Sequence, residues 1–289
     1  MSKVTVIKSI NPDKVCKTYT LNGDKLEKNV IANVNDGEAI TVDVPDAQAM
    51  MKVLRSVTAR TDLVLCAGIW HNAQIKQKFR VMSEKALADR LGSKLGEVQG
   101  GVVEHNGEFV SARLKRGIDY SEWMLLDADN PAGIPSEWAK MTIAERLELW
   151  EPFVKGITQC ERIELRGSSA RVHKHGEEAG PATHAWIRVS DPQKIAALKA
   201  HIRVQMVLHN ASFSFDKKSK LDGTVVGTED RSVFELAVMD TGRLVFCAMP
   251  EVNSPDHAVA DADIQLHNEG GGALDLDWIS LPSADDLER

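Results

Sequence analysis

Asp127 and Asp129 stand two residues apart in Trp123-Met124-Leu125-Leu126-Asp127-Ala128-Asp129, and that spacing suits a metal site. In a strand, successive side chains point to opposite faces, so both carboxylates share a face with Leu125 while Met124, Leu126 and Ala128 form the other. Two carboxylates on one face repel, and a divalent cation with oxygen ligands relieves the repulsion. For an isolated D-x-D, a strand running into a turn with both acids in water is the simpler account, and Asn130, Pro131 and Gly133 supply such a turn. Two further segments present polar faces, His184 with Arg188 and Arg231 with Glu235. Two-metal phosphoryl transfer needs such parts: acidic ligands holding cations about 3.5–4 Å apart, with basic and hydroxyl groups for the phosphates. Singly, each has a plainer role. His184 reads as a hydrogen-bonded surface histidine, Ser168 and Ser169 as turn formers, and Arg231 with Glu235 as an ion pair on a solvated strand.

The elements that must position these residues can be read from periodicity. Strands are expected over 3–9 and 38–44, with Asn22-Gly23-Asp24 as a turn between them. A helix opens at Pro45-Asp46 and runs to about Ala59, with Met50, Val53, Leu54 and Val57 at helical spacing. A second helix spans Ser83 to Leu91, and Gly92, Gly96 and Gly100-Gly101 break up the segment after it. Thr142 and Glu145 form a capping box for a helix to about Ile157 that buries Ile143, Leu147 and Trp150. A short strand covers 163–165, and Lys174 to Ala182 is a polar loop. Next comes a strand over 183–189, with Ala185, Ile187 and Val189 inward. Asp191-Pro192 caps a helix to about Leu208. A last strand pair covers 231–237 and 243–246, with Phe234, Leu236 and Val238 toward the core and Arg231, Val233 and Glu235 opposite.

With 289 residues and 43% hydrophobic content, the chain can bury a substantial core. No apolar run approaches the ~20 residues of a membrane span, and the N-terminus lacks the pattern of a signal peptide. Cys16, Cys66, Cys160 and Cys247 lie far apart, which gives neither a zinc signature nor a disulfide framework. A reducing, cytoplasmic setting is the simplest reading. There is no G-x-x-x-x-G-K-[ST] loop, hence no motor of that type. The net charge of −7 is uneven: residues 251–289 hold ten acids and one base, leaving 34 bases against 32 acids in residues 1–250. The body is near neutral, which neither supports nor excludes a DNA partner. Beyond Pro250 the sequence reads as an acidic tail with Gly270-Gly271-Gly272 as a flexible joint.

The order of the polar segments resembles the archaeo-eukaryotic primase superfamily, and within it the primase and primase–polymerase domains of bacterial viruses and mobile elements. The similarity rests on Leu126-Asp127-Ala128-Asp129, Gly167-Ser168-Ser169, Thr183-His184-Ala185-Trp186, and Glu235-Leu236-Ala237-Val238-Met239 with Arg243-Leu244-Val245-Phe246. Val4-Thr5-Val6 and Lys17-Thr18-Tyr19-Thr20-Leu21 are also similar to that family's opening, so the resemblance runs from about residue 4 to residue 250. Two positions depart from the pattern: Glu235 stands where the family usually has Asp, and Thr183 replaces Gly before the histidine. The resemblance implies an α+β fold of two lobes, an N-terminal module over 1–105 packed on a catalytic module over 106–250 with an RRM-like sheet, then the tail 251–289. It implies that Asp127, Asp129 and Glu235 bind Mg2+ or Mn2+, and that Ser168, Ser169 and His184 contact the incoming nucleotide, with Lys217 and Arg231 at basic positions. The activity it implies is template-directed nucleotidyl transfer on single-stranded DNA with NTPs or dNTPs, making primers for replication in a bacterial or virus-infected cell. A helicase would be supplied in trans or by a region beyond this chain. The alternatives are a metal-dependent nuclease, a template-independent nucleotidyltransferase, and a primase-like module that only binds nucleic acid.

Overall fold

Lys3-Val4-Thr5-Val6-Ile7 alternates as a strand should, and it opens the strand Lys3–Asn11 in the computed structural model. The structure describes residues 2–30, 33–131, 133–219 and 223–280, apart from the side chains of Lys217 and Lys218. Lys3–Asn11 pairs antiparallel with Asp36–Asp43 and Leu63–Cys66 inside a seven-stranded sheet. Leu244–Val245 closes one edge of that sheet; Lys78–Met82, Glu108–Ala112 and Val103–His105 complete the other. The last two form a hairpin turning at Asn106 and Gly107. The boundary expected between residues 105 and 106 therefore falls inside one hairpin, and residues 108–112 share a sheet with the N-terminal strands. Asn22-Gly23-Asp24 turns a separate hairpin, Thr18–Asn22 with Lys25–Asn29, rather than joining the two long strands.

The helix α1 (Ala47–Thr58) starts where Asp46 accepts a hydrogen bond from the Ala49 N–H at 2.7 Å, a cap worth about 1 kcal/mol. Its inner face, Met50, Leu54 and Val57, is fully buried. Helix α2 (Glu84–Leu91) is capped in the same way by Ser83. Helix α3 (Ile143–Trp150) has the capping box of Thr142 and Glu145 but stops well short of Ile157. Pro152 has no N–H to donate, and its ring clashes with the carbonyl four residues back. Phe153, Val154 and Ile157 continue in turns and are still buried. A short 3-10 turn over Pro192–Lys194, capped by the Asp191 side chain, leads into α4 (Ile195–Leu208).

Around the D-x-D segment, an antiparallel sheet runs in the order Trp123–Asp127, His184–Arg188, Arg162–Leu165, Gln265–His267, the last strand coming from beyond residue 250. Helices α3 and α4 pack on one face, against Met124, Leu126, Ala185 and Ile187. The other face, Trp123, Leu125, Ile163, Leu165 and Trp186, packs against α1 and against Val4 and Leu65 of the large sheet. Both faces are thus covered, and Trp186, which strand alternation puts on the same face as His184 and Arg188, is fully buried. The fold is α+β. Among the described residues, no helix is long and apolar enough to cross a membrane.

The acidic segment after residue 250 departs most from the sequence reading. Glu251–Asn253 joins the Thr18–Asn22 strand in parallel, His257–Val259 pairs with Val172–Lys174, and Gln265–His267 edges the four-stranded sheet. Leu274, Leu276 and Ile279 enter the core under α3 and α4. Gly271, expected in a flexible joint, is wedged so that a Cβ would lie 2.3 Å from the Gln159 carbonyl oxygen. Asp256, Asp261, Asp263, Glu269, Asp275 and Asp277 face solvent while short apolar stretches between them face the body, a pattern too short to register as periodicity. Burying an aliphatic side chain contributes about 1.5–3 kcal/mol, so this segment is structural. Removing residues 251–289 is expected to give an insoluble protein or one whose melting temperature, followed by circular dichroism, falls by ten degrees or more.

Candidate active site

The D-x-D strand is anchored at its start and open at its end. The Trp123 indole N–H donates to the Val44 carbonyl at 3.0 Å, and the Trp123 backbone N–H to Ser121 Oγ at 3.0 Å. Trp123 and Leu125 are buried among α1 and the large sheet, so Asp127 emerges from that same face at the sheet's rim, opposite His184 in the ladder. The Ala128 N–H donates to the Thr183 carbonyl at 2.7 Å, extending the pairing one residue further. Glu235 arrives from elsewhere: its N–H donates to the Asp127 carbonyl at 2.8 Å. It does not lie on a strand. The strand ends at Ser232, Val233 and Phe234 both bury, and a 3-10 turn, Leu236–Met239, comes directly after Glu235. Backbone pairing thus brings three acids together, and one carboxylate oxygen from each of Asp127, Asp129 and Glu235 lies within 4.8 Å of the others.

Charge is poorly compensated here. Burial, reinforced by the Asp129 and Glu235 carboxylates, pushes the Asp127 carboxyl up to about 8. Its Oδ1 is buried without a hydrogen-bond partner. His184 Nε2 lies 3.7 Å from that oxygen, too far for a hydrogen bond. Burial pushes the His184 imidazole down to about 4, so it is neutral at physiological pH, and its Nδ1 is also unpartnered. An orphaned carboxylate oxygen beside two further carboxylates, all hard oxygen donors, fits Mg2+ or Mn2+. Among the described residues, Lys17 and Arg243 are cations on the wall of this site, with Arg243 Nη2 3.8 Å from Glu235 Oε1. For Lys17 the shift has two opposed causes. Burial lowers its pKa, opposed by the Asp129 carboxylate, and its ammonium donates to Ser169 Oγ at 2.8 Å.

Two cavities meet at the carboxylates. A smaller one of about 280 Å³ is lined by Lys17, Asp127, His184 and Arg243; a larger one of about 870 Å³ by Arg203, Met206, Arg231 and Phe234. Asp129, Ser169, Thr183 and Glu235 line both. Thr183 Oγ1 accepts from the Gly167 N–H at 3.0 Å, and a Cβ on Gly167 would lie 2.5 Å from that oxygen and 3.1 Å from His184 Nε2. Glycine lets the serine turn approach the histidine, while threonine before His184 ties the two together.

The expected site residues divide accordingly. Asp127, Asp129, Glu235, Ser169 and His184 converge. Ser168 does not: it is 1% exposed and donates its hydroxyl to the Phe246 carbonyl at 3.1 Å. Arg231 lines the larger cavity, away from His184, with its guanidinium 4.3 Å over the Phe215 ring. Lys217 lies on the partner strand of that hairpin, opposite Gly227, and its side chain is outside the described residues. Other acids near Glu235 are engaged elsewhere: Asp230 accepts from Ser214 at 3.0 Å, and Asp240 pairs with Lys115 at 3.0 Å and with Lys199.

Arg146 and Lys17 are not singled out by the sequence as site residues. Arg146 is 2% exposed. It donates to the Val233 carbonyl and to Asn130 Oδ1, both at 2.6 Å, and to the Trp138 carbonyl at 3.0 Å. It joins the turn after Asp129 to the segment before Glu235, and so holds the carboxylates in register. A signal for it exists: it sits with Ile143, Leu147 and Trp150 on the inward stripe of α3, where a charge needs partners. Comparison with protein-family models, curated proteins and solved structures finds no match.

The raised Asp127 carboxyl has a sign that can be tested. A carboxyl with a higher pKa folded than unfolded binds more protons in the folded state, so its contribution to stability falls as pH rises from about 4 to 8. In chelator, Asp127→Asn is expected to melt several degrees above the parent at pH 8 and close to it at pH 4. Mg2+ or Mn2+ is expected to raise the melting temperature of the parent at pH 8 and to leave the variant unmoved. Thermal melts at both pH values check this.

Proposed function

We propose that this chain is a DNA primase or primase–polymerase, carrying out template-directed nucleotidyl transfer with Mg2+ or Mn2+ held by Asp127, Asp129 and Glu235. The observation that carries the reading is the meeting of three carboxylates from separate segments, with oxygens within 4.8 Å, where two cavities join. Pure nucleic-acid binding has no use for clustered acids, because they repel phosphate. The resemblance in motif order supports the same reading.

In this reaction a 3′-hydroxyl attacks the α-phosphate of a nucleotide; the new phosphodiester bond forms and the bond to pyrophosphate breaks. The bound cation supplies Lewis acidity toward the attacking and leaving oxygens. The chain's own groups bind and orient. Neutral His184 has one ring N–H to offer a phosphate oxygen, and its burial keeps it uncharged and fixed. Ser169, on the wall between the cavities, offers a hydroxyl to either substrate. Ala128 and Glu235 hold the acidic rim through backbone hydrogen bonds at 2.7 and 2.8 Å, so the ligands are set before substrate arrives. The substrates are single-stranded DNA and NTPs or dNTPs, and a helicase acting in trans is the natural partner. The four free, buried cysteines suit the reducing cytoplasm of a bacterial or virus-infected cell.

Incubation with single-stranded DNA, labelled nucleotides and Mg2+ or Mn2+, without primer, is expected to yield labelled oligonucleotides that vanish with chelator. Degradation of the DNA alone would replace this reading with a metal-dependent nuclease. Products indifferent to template sequence would replace it with a template-independent nucleotidyltransferase.

A further inference from the structure

We infer, on the basis of the nucleotidyl-transfer reading, that Lys17 is a phosphate-binding residue of this site, delivered to it by the small three-stranded sheet. Lys17 lies outside the four-stranded sheet that carries Asp127 and His184. It immediately precedes the strand Thr18–Asn22, whose partners are Lys25–Asn29 and, in parallel, Glu251–Asn253. The Glu251 N–H donates to the Lys17 carbonyl at 3.0 Å, and the Glu251 carboxylate pairs with Lys14 at 2.6 Å. Those contacts fix the backbone from which the lysine side chain reaches the smaller cavity.

The ammonium meets Ser169 Oγ at 2.8 Å on the wall shared by both cavities. An ammonium carries three donors, and a neutral hydroxyl satisfies one of them without neutralising the charge. Asp129 and Asp127 offset that charge through space. Once a divalent cation occupies the three carboxylates, it takes up most of the negative charge that offsets the lysine, and a phosphate bound at the metal can replace that charge. Arg243, whose Nη2 is 3.8 Å from Glu235 Oε1, adds a second cation on the same cavity wall.

Position points the same way. The smaller cavity, about 280 Å³, sets Lys17, His184 and Arg243 beside the carboxylates and joins the larger one at Asp129, Ser169, Thr183 and Glu235. It suits a phosphate tail, with the rest of the nucleotide extending into the larger cavity. Lys17 is therefore assigned to the triphosphate rather than to the DNA strand.

The test is equilibrium binding of a fluorescent ATP analogue to the full chain with Mg2+ and no DNA. Single-stranded DNA binding is measured by anisotropy in parallel, and melting curves monitor folding. Lys17→Met is expected to weaken ATP binding by about tenfold or more, as loss of a charge-assisted contact does, and to leave affinity for adenosine and for DNA unchanged. Lys17→Gln keeps a donor for Ser169 and must weaken ATP binding as much, while Lys17→Arg should restore part of it. If the parent binds ATP and both neutral variants bind it equally well, the assignment of Lys17 is overturned with the nucleotidyl-transfer reading intact. Equal loss of ATP and DNA binding with a lowered melting temperature also overturns it, in favour of a structural role. A parent that binds DNA but no ATP overturns the nucleotide reading itself, and the inference with it.

Discussion

Carboxylate repulsion at the end of a buried strand is the constraint on which this structure depends. At an effective dielectric near 20, two unit charges about 4 Å apart oppose each other by about 4 kcal/mol. Asp127, Asp129 and Glu235 have oxygens within 4.8 Å of one another, and Asp127 Oδ1 has no hydrogen-bond partner. Without a cation such a cluster relaxes by taking up a proton, as the raised Asp127 carboxyl shows, and it would also swing the acids apart unless the backbone were held. Here it is held on every side. Trp123 and Leu125 lock the strand from one face, and Met124, Leu126 and Ala128 from the other. The Glu235 N–H is hydrogen-bonded to the Asp127 carbonyl.

The restraint extends outward through a buried arginine and a half-buried lysine. Arg146 bonds carbonyl and amide oxygens on both sides of the carboxylate cluster and adds a positive charge that Asp127 and Asp129 feel through space. Lys17 reaches the cluster from the far side, just before a strand held in place by residues 251–253. The C-terminal segment therefore contributes to the site without lining it. The large sheet, the four-stranded sheet and the small sheet each supply a wall or an anchor, and the cleft forms where they meet.

Much of this is legible in the amino-acid sequence. The D-x-D strand can be read because its period of two is strict and its apolar anchor is strong. The face carrying Leu125 and Asp127 and the face carrying Met124 and Leu126 separate as alternation requires. The caps of α1, α2 and α3 can be read because the partners of Asp46, Ser83 and Thr142 lie within three residues of them. Glu235 is legible as the acid flanked by buried residues, but its conformation is not: Phe234, Leu236 and Val238 imitate strand alternation where the chain turns into a 3-10 helix. Of Ser168 and Ser169, one faces the core and one the cleft, and adjacency in sequence cannot say which. The strands after residue 250 are three residues each, shorter than any periodicity window, and they exist because tertiary partners wait for them. Lys17 is invisible as a site residue because nothing in the local sequence distinguishes it from lysines that face solvent.

The most direct measurement of the central claim is Mn2+ binding to the chelator-stripped protein at pH 8, read from the loss of the free-ion electron paramagnetic resonance signal. The account predicts saturable binding that Mg2+ competes away and that Glu235→Gln, correctly folded by circular dichroism, weakens by at least about tenfold, as losing a charged ligand should. Binding of unchanged affinity and stoichiometry in Glu235→Gln would contradict it, because the three acids would then not be acting as one site.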